Sequence, residues 1–205
     1  MNKINIVILG SGGHTRSIIN LINKDIYEIL GVFDDSYNLN SKDNFSGIQL
    51  KGSLKDIPNN SKIILSVGDN MKREEFFKKY KKNIFHPNSQ HTFSFIEKNT
   101  IIGKSNQFFA NSYINSLVKI GDNNILNSGC IIEHESKLGN HNHISVGAII
   151  CGRVNIGDNC FIGAGSVIKD KISICNNVVI GANSLVINDI VLSGVYVGSP
   201  VKKIS

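Results

Sequence analysis

The sequence predicts a two-part fold: a Rossmann-like α/β half domain over residues 1–88, then a left-handed parallel β-helix of hexapeptide repeats over residues 89–205. Three observations carry this expectation. Aliphatic residues recur at every sixth position from Ile102 to Val186, Gly, Asn and Asp crowd the positions that follow them, and the first part of the chain runs strand, Gly-rich turn, helix, strand.

The period comes first because a repeat decides architecture before local propensity does. Ile102, Phe108, Ile114, Ile120, Leu126, Ile132, Leu138, Ile144, Ile150, Ile156, Ile162, Ile168, Ile174, Ile180 and Val186 keep one phase, and none of these fifteen stations is polar. An amphipathic sheet alternates over short runs and does not hold one phase for so long. Each hexad reads as a short strand plus a corner, and three hexads close a triangular coil of about eighteen residues, so the stations stack as a buried column about five coils high. Gly follows many stations, as at Gly103, Gly121, Gly139, Gly157, Gly163 and Gly181, where a tight corner is expected to need a residue without Cβ. Asn and Asp at neighbouring corner positions tolerate left-handed backbone.

In the first half Ile4–Leu9 reads as a strand, Gly10-Ser11-Gly12-Gly13 as a turn, and Ile18, Ile19, Leu21 and Ile22 as the apolar stripe of a helix. A second strand is expected over Tyr27–Phe33, ending at Asp34-Asp35. After a loop, Lys62–Val67 reads as a third strand leading through Gly68-Asp69-Asn70 into a basic helix. Ligand is expected outside the carboxyl ends of such strands.

Bulk properties narrow the class. With 41% hydrophobic and 19% charged residues the chain buries a real core, which excludes a disordered protein. The net charge of +6 is scattered among acids except at Lys78, Lys79, Lys81 and Lys82, the pattern of a solvated helix face, so no nucleic-acid partner is expected. Cys130, Cys151, Cys160 and Cys175 form no C-x-x-C pair and read as reduced core thiols. The apolar run at residues 4–9 breaks at Gly10, too short for a signal peptide or a membrane span, so a cytoplasmic protein is expected.

Three places carry chemistry. At Gly10-Ser11-Gly12-Gly13-His14, glycines let amides approach a phosphate at a helix start, although a full dinucleotide fingerprint wants Gly where Thr15 stands. The same turn also serves simply to pack strand on helix. His134-Glu135 sits two residues past an inward station, so it can point outward at a corner; a neutral histidine suits a general base and a carboxylate beside it holds the ring's tautomer. As an isolated dipeptide it is otherwise a solvated pair. His143 is nine residues further on, half of one coil, so it lies on another side of the same prism and meets His134 only across an interface between chains. An i, i+2 pair of His141 and His143 is a poor metal set, and no metal is expected.

These motifs resemble the bacterial sugar acetyltransferases with hexapeptide repeats, which include the UDP-4-amino-sugar N-acetyltransferases of the bacillosamine pathway and the sialic acid O-acetyltransferases. The resemblance rests on Gly10 to His14, Asp34-Asp35, Ser66 to Asn70, Ile132 to Glu135, His143 to Ala148, Asn159 to Ala164 and Val197 to Lys202. It implies an enzyme that transfers acetyl from acetyl-CoA to a sugar, with His134 as general base and Glu135 as the acid that supports it. It implies that His143, Ala164 and Ala182 meet acetyl-CoA, and that Gly12, Gly13, His14, Asp34, Asp35 and Gly68 hold a nucleotide-linked sugar. It further implies a homotrimer with active sites between subunits. N- and O-acetylating branches share these features, so a nucleotide-linked 4-amino-sugar and a sialic acid both stand as acceptors. A non-catalytic sugar-nucleotide-binding subunit is the reading from another class.

Overall fold

A computed structural model describes residues 3–38, 43–85 and 87–205. The chain divides into two compact units, Met1–Ser89 and Gln90–Ser205.

The first unit is an α/β sheet. Strands β1 (Ile4–Leu9), β2 (Tyr27–Phe33), β3 (Asn44–Phe45), β4 (Ile48–Gly52) and β5 (Lys62–Leu65) take the order β3-β4-β2-β1-β5. β1 runs parallel to both β2 and β5. Both faces of β1 are covered, since Val7 and Leu9 join a cluster with Ile63, Leu65 and Phe76 while the alternate residues Ile6 and Ile8 are also fully buried. Burial on both faces is why residues 6–9 of β1 read as a continuous apolar run instead of an alternating one.

Three expectations for this unit change. The helix after β1, α1 (Gly13–Ile18), is only six residues long and tightens into a 3₁₀ turn over Ile19–Leu21, leaving Ile22 outside. The expected loop before β5 contains the hairpin β3–β4, joined by Ser46 (φ 50°) and Gly47 (φ 89°). Positive φ at both linking residues is the turn whose twist matches paired antiparallel strands. β5 also ends at Leu65, two residues earlier than expected, where Ser66 to Asp69 lead into α2 (Asn70–Lys79). Asp69 caps α2 through its carboxylate, which accepts the Lys72 amide at 2.7 Å.

The second unit is a three-sided parallel β-helix. Its first face runs from Phe95–Ile96 to Leu185–Val186, its second from Ile101–Ile102 to Ser173–Ile174, and its third from Ser89–Gln90 to the closing strands Gly194–Val197 and Lys202–Lys203. Neighbouring strands pair eighteen residues apart, as in Tyr113 with Ile131 and Ile131 with Ile149, the register that three hexads per coil demand. The stations point inward as expected: those from Phe108 to Val186 are buried, and Ile102, at the open first coil, packs partly buried against them. Such stacking removes from water a column that no single coil could hide.

The corners work differently from the expectation. Left-handed backbone falls three residues after each station from Ile102 to Ile180, at φ between 51° and 68° for every sixth residue from Asn99 to Asn183, and the position is filled by Asn, Ser, Leu, Glu, His, Arg, Lys or Gly. Glycines directly after the stations are not left-handed; they supply room. A Cβ on Gly139 would collide with the Asp158 carboxylate and stand 2.8 Å from the Gly157 carbonyl oxygen of the next coil. The colliding side chains form a ladder at the corner between the second and third faces. Asp122, Asn140, Asp158 and Asn176 each accept the backbone amide one coil before, for example Asp122 N–H to Asn140 Oδ1 at 2.8 Å and Asp158 N–H to Asn176 Oδ1 at 2.8 Å. Inside it runs a second, buried ladder pointing the other way, in which Asn106, Asn124 and Asn142 accept the amides of Asn124, Asn142 and Cys160 at 2.7–2.8 Å. Asn and Asp therefore serve here as acceptors for corner amides that would otherwise be orphaned.

Candidate active site

His134 and Glu135 lie at the corner between the first and second faces, just after the station Ile132. Glu135 occupies the left-handed corner position (φ 61°), anchored by its amide to the Ser116 carbonyl at 3.1 Å. That backbone sends its side chain back toward its neighbour. His134 Nδ1 is 3.0 Å from Glu135 Oε2. A carboxylate only accepts, so Nδ1 carries the hydrogen and Nε2 keeps its lone pair. The next coil completes the arrangement. The ring lies over Gly152, and Arg153 Nε donates to the same Glu135 oxygen at 3.0 Å. Hydrogen bonds from Arg153 and then from His134 hold the Glu135 carboxyl below the usual carboxylate range, so it stays anionic.

Gly152 and Arg153 are neighbours of the pair that the dipeptide alone does not reveal. Their signal is in the period: adding eighteen to His134 and Glu135 lands on them.

His143 stands on the third face with its side chain largely buried. Its Nε2 is 3.3 Å from Asn127 Nδ2, and its ring meets Phe161, one coil on, edge to face at 5.0 Å. Ala164 and Ala182 follow at the corner between the third and first faces, one coil apart, half-buried and exposed respectively. Small side chains there leave the backbone approachable. His143 and the two alanines thus share one side of the prism, whereas His134-Glu135 sits at a different corner.

The thiols take no part in this geometry. Burial pushes the Cys130 thiol up to about 12 and the Cys160 thiol up to about 11, so neither is a thiolate nucleophile near neutral pH. Among the described residues no group of three or more His, Cys, Asp or Glu could hold a metal ion; His141 Nδ1 instead faces Asn123 Nδ2 at 2.8 Å.

In the first unit the candidate residues converge at the carboxyl ends of β1, β2 and β5. Gly10 has φ 113°, and a Cβ there would stand 2.5 Å from the Ser66 carbonyl oxygen, so only glycine lets the two loops touch. Ser11 N–H donates to Asp34 Oδ2 at 2.9 Å, and Ser36 N–H donates to Asp34 Oδ1 at 2.9 Å. Burial raises the Asp34 carboxyl, but the hydrogen bonds from Ser36 and Ser11 outweigh it and hold the group below its ordinary value. Asp34 therefore spends both oxygens on binding the two turns together. Asp35 accepts the Leu54 amide at 3.3 Å. Gly12, which caps α1, Gly13 and Gly68 border open space, where a Cβ would meet nothing within 4 Å. His14 lies in α1 beside this open space.

Gly68 is braced from behind. The buried guanidinium of Arg73 donates to the Val67 and Gly68 carbonyls at 3.1 Å each and to Asn70 Oδ1 at 2.8 Å. Burial brings Arg73 down to about 9 against the opposing pull of Asp69, and it still carries its charge at neutral pH.

No helix among the described residues is long and apolar enough to cross a membrane. No curated protein matches the chain in sequence. Among solved structures, the acetyltransferase domain of PglB from Neisseria gonorrhoeae FA1090 aligns with TM-score 0.88 and 23% identity, covering 98% of this chain and 99% of that one. The same domain in complex with acetyl coenzyme A aligns with TM-score 0.87 and 22% identity over 99% and 100%. PerB from Caulobacter crescentus, in complex with CoA and GDP-perosamine, aligns with TM-score 0.88 and 23% identity over 98% and 97%. At these identities the likeness is one of fold. The PglD N-terminal domain family matches residues 5–80, and the bacterial transferase hexapeptide family (six repeats) matches residues 135–170 and 153–188. The first unit thus matches the PglD N-terminal domain family and the second unit matches the bacterial transferase hexapeptide family, each over part of the chain.

Proposed function

We propose that this chain is an acetyl-CoA-dependent N-acetyltransferase acting on a nucleotide-linked 4-amino-sugar for surface glycan assembly. The observation that carries the reading is the corner where Glu135 ties up Nδ1 of His134 and leaves Nε2 as a base. Direct attack fits this site. The acceptor amine adds to the thioester carbonyl while His134 Nε2 takes its proton; the C–S bond then breaks, and the imidazolium returns the proton to the departing CoA sulfur. Glu135 holds the ring and favours the imidazolium that forms transiently. No acyl-cysteine is needed.

His143, Ala164 and Ala182 are assigned to acetyl-CoA, and the Gly12–His14 turn with Asp34, Asp35 and Gly68 to the nucleotide-sugar. Structures of similar fold, PglB with acetyl coenzyme A and PerB with CoA and GDP-perosamine, support the two classes of ligand. Because His143 and His134 lie on different sides of one prism, a complete site calls for a second copy, and a closed trimer is the natural assembly of a three-sided column. The first face suits such packing: Tyr113, Ile131, Ile149, Val167 and Leu185 precede their buried stations and so point outward as an apolar ladder. Acetyl-CoA and a nucleotide-linked sugar as substrates support a cytoplasmic setting.

An acceptor panel tests the reading. Acetyl-CoA is offered with UDP-, dTDP- and GDP-linked 4-amino-sugars and with free and CMP-linked sialic acid, and products are read by mass spectrometry. A gain of one acetyl group on an amino-sugar is expected. Acetylation of sialic acid alone would place the protein in the O-acetylating branch, and ligand binding without any thiol release would make it a non-catalytic subunit.

A further inference from the structure

The corner that holds the base contains a charge the transfer itself does not use. Arg153 is the eighteenth residue after Glu135, and both sit in the left-handed corner position, at φ 61° each, in successive coils. Stacked so, the two side chains reach across one coil spacing. Arg153 Nε and His134 Nδ1 approach the same oxygen, Glu135 Oε2, each at 3.0 Å.

We propose that Arg153 is a positioning residue for the base: its guanidinium fixes the Glu135 carboxylate against the His134 ring and, by sharing that oxygen, weakens the carboxylate's hold on the Nδ1 hydrogen. The inference rests on the reading of His134 as the base.

Two donors compete for one carboxylate oxygen. A carboxylate facing imidazole alone accepts the Nδ1 hydrogen strongly and stabilises imidazolium, which makes the ring a better proton acceptor but leaves more of it already protonated. A guanidinium on the same oxygen draws off part of that negative charge and adds a positive one nearby, and both effects favour the neutral ring. The depressed carboxyl of Glu135, whose largest cause is the Arg153 hydrogen bond, agrees with this sharing. Other charges along this corner are more distant in register. Glu133 precedes the pair on its own coil, the preceding coil offers only Ser116 and Leu117, and Asp170 and Lys171 come one coil beyond Gly152 and Arg153. The half-exposed Arg153 side chain makes its loss tolerable to the fold.

The test replaces Arg153 by Ala and by Lys in the full-length protein. The His134 ring is titrated by NMR with carbon-labelled histidine, its signal assigned by its loss in His134→Ala, and the pH profile of kcat/KM is recorded beside it. In Arg153→Ala the carboxylate acts on the ring alone, so the ring signal and the acid limb of kcat/KM are expected to move together to higher pH. Arg153→Lys, which keeps the charge, is expected to recover most of the shift. A ring that titrates at the same pH in wild type and Arg153→Ala overturns the proposal. Since the NMR titration needs no turnover, a His134→Ala variant that remains active would sink the base assignment without touching the Arg153–Glu135–His134 coupling.

Discussion

The imidazole of His134 lies over the α-carbon of Gly152: a Cβ built there would stand 2.8 Å from Cε1 and 2.9 Å from Nε2. Gly152 is not in left-handed backbone, so alanine fits the main chain and the strain falls on the ring. Gly152→Ala is therefore expected to shift the imidazole by several tenths of an ångström and lower kcat by about 10-fold, less than the roughly 10²-fold that a 1 Å misplacement of a reacting group costs. Thermal unfolding should move little, because the obstructed group is a movable side chain. Steady-state kinetics beside a melting curve separate the two effects.

A second glycine is expected to behave in the opposite way. A Cβ on Gly139 would press on the backbone of Gly157 as well as on the Asp158 carboxylate, and backbone cannot step aside. Gly139→Ala should destabilise the β-helix by about 1–3 kcal/mol, the range of overpacked sites, read as an earlier urea midpoint. Residual folded enzyme should keep its rate constants.

The buried ladder gives a third expectation. Asn142 Oδ1 accepts the Cys160 amide at 2.7 Å in a corner without exposure to solvent. Asn142→Leu leaves that amide unmet and should cost about 1–3 kcal/mol of stability. Equal stability of variant and wild type in urea would mean that the ladder is decoration.

Asp34 supplies a pH signature. Its carboxyl is held below its ordinary value of 3.8 in the folded chain. A depressed folded value means that the ionised group stabilises the fold above the unfolded value, about 3.9, and that this contribution disappears as pH falls through the lower folded value. Asp34→Asn should thus be less stable than wild type at pH 7, and the gap should close progressively below about pH 4. Paired melting curves across that range check the sign.

Much of the fold was legible because the β-helix writes its geometry as a period. One phase of aliphatic residues gives the inward column, and the spacing of three hexads gives the register that the strands follow from Tyr113 to Leu185. The same arithmetic leads from His134-Glu135 to Gly152-Arg153, though motif reading, which works along the chain, stops at the dipeptide. Corner glycines were legible as glycines but not in their cause, because the clash they avoid comes from the next coil and not from their own φ. In the first unit the three carboxyl-end loops followed from the order of strands and turns. The short α1 did not, since Ile18, Ile19, Leu21 and Ile22 have helical spacing whether or not the last turn tightens. The Phe45-Ser46-Gly47-Ile48 hairpin had a visible Ser-Gly turn, but its strands are too short and polar to stand out.

The account turns on whether His134 takes the proton from the acceptor amine. Release of free CoA thiol from acetyl-CoA, followed with a nucleotide-linked 4-amino-sugar for wild type and His134→Ala, measures this directly. Turnover in the variant is expected to fall by about 10²- to 10⁴-fold, the usual worth of a general base, with CoA affinity nearly unchanged. A variant that releases thiol as fast as the wild type would contradict the account.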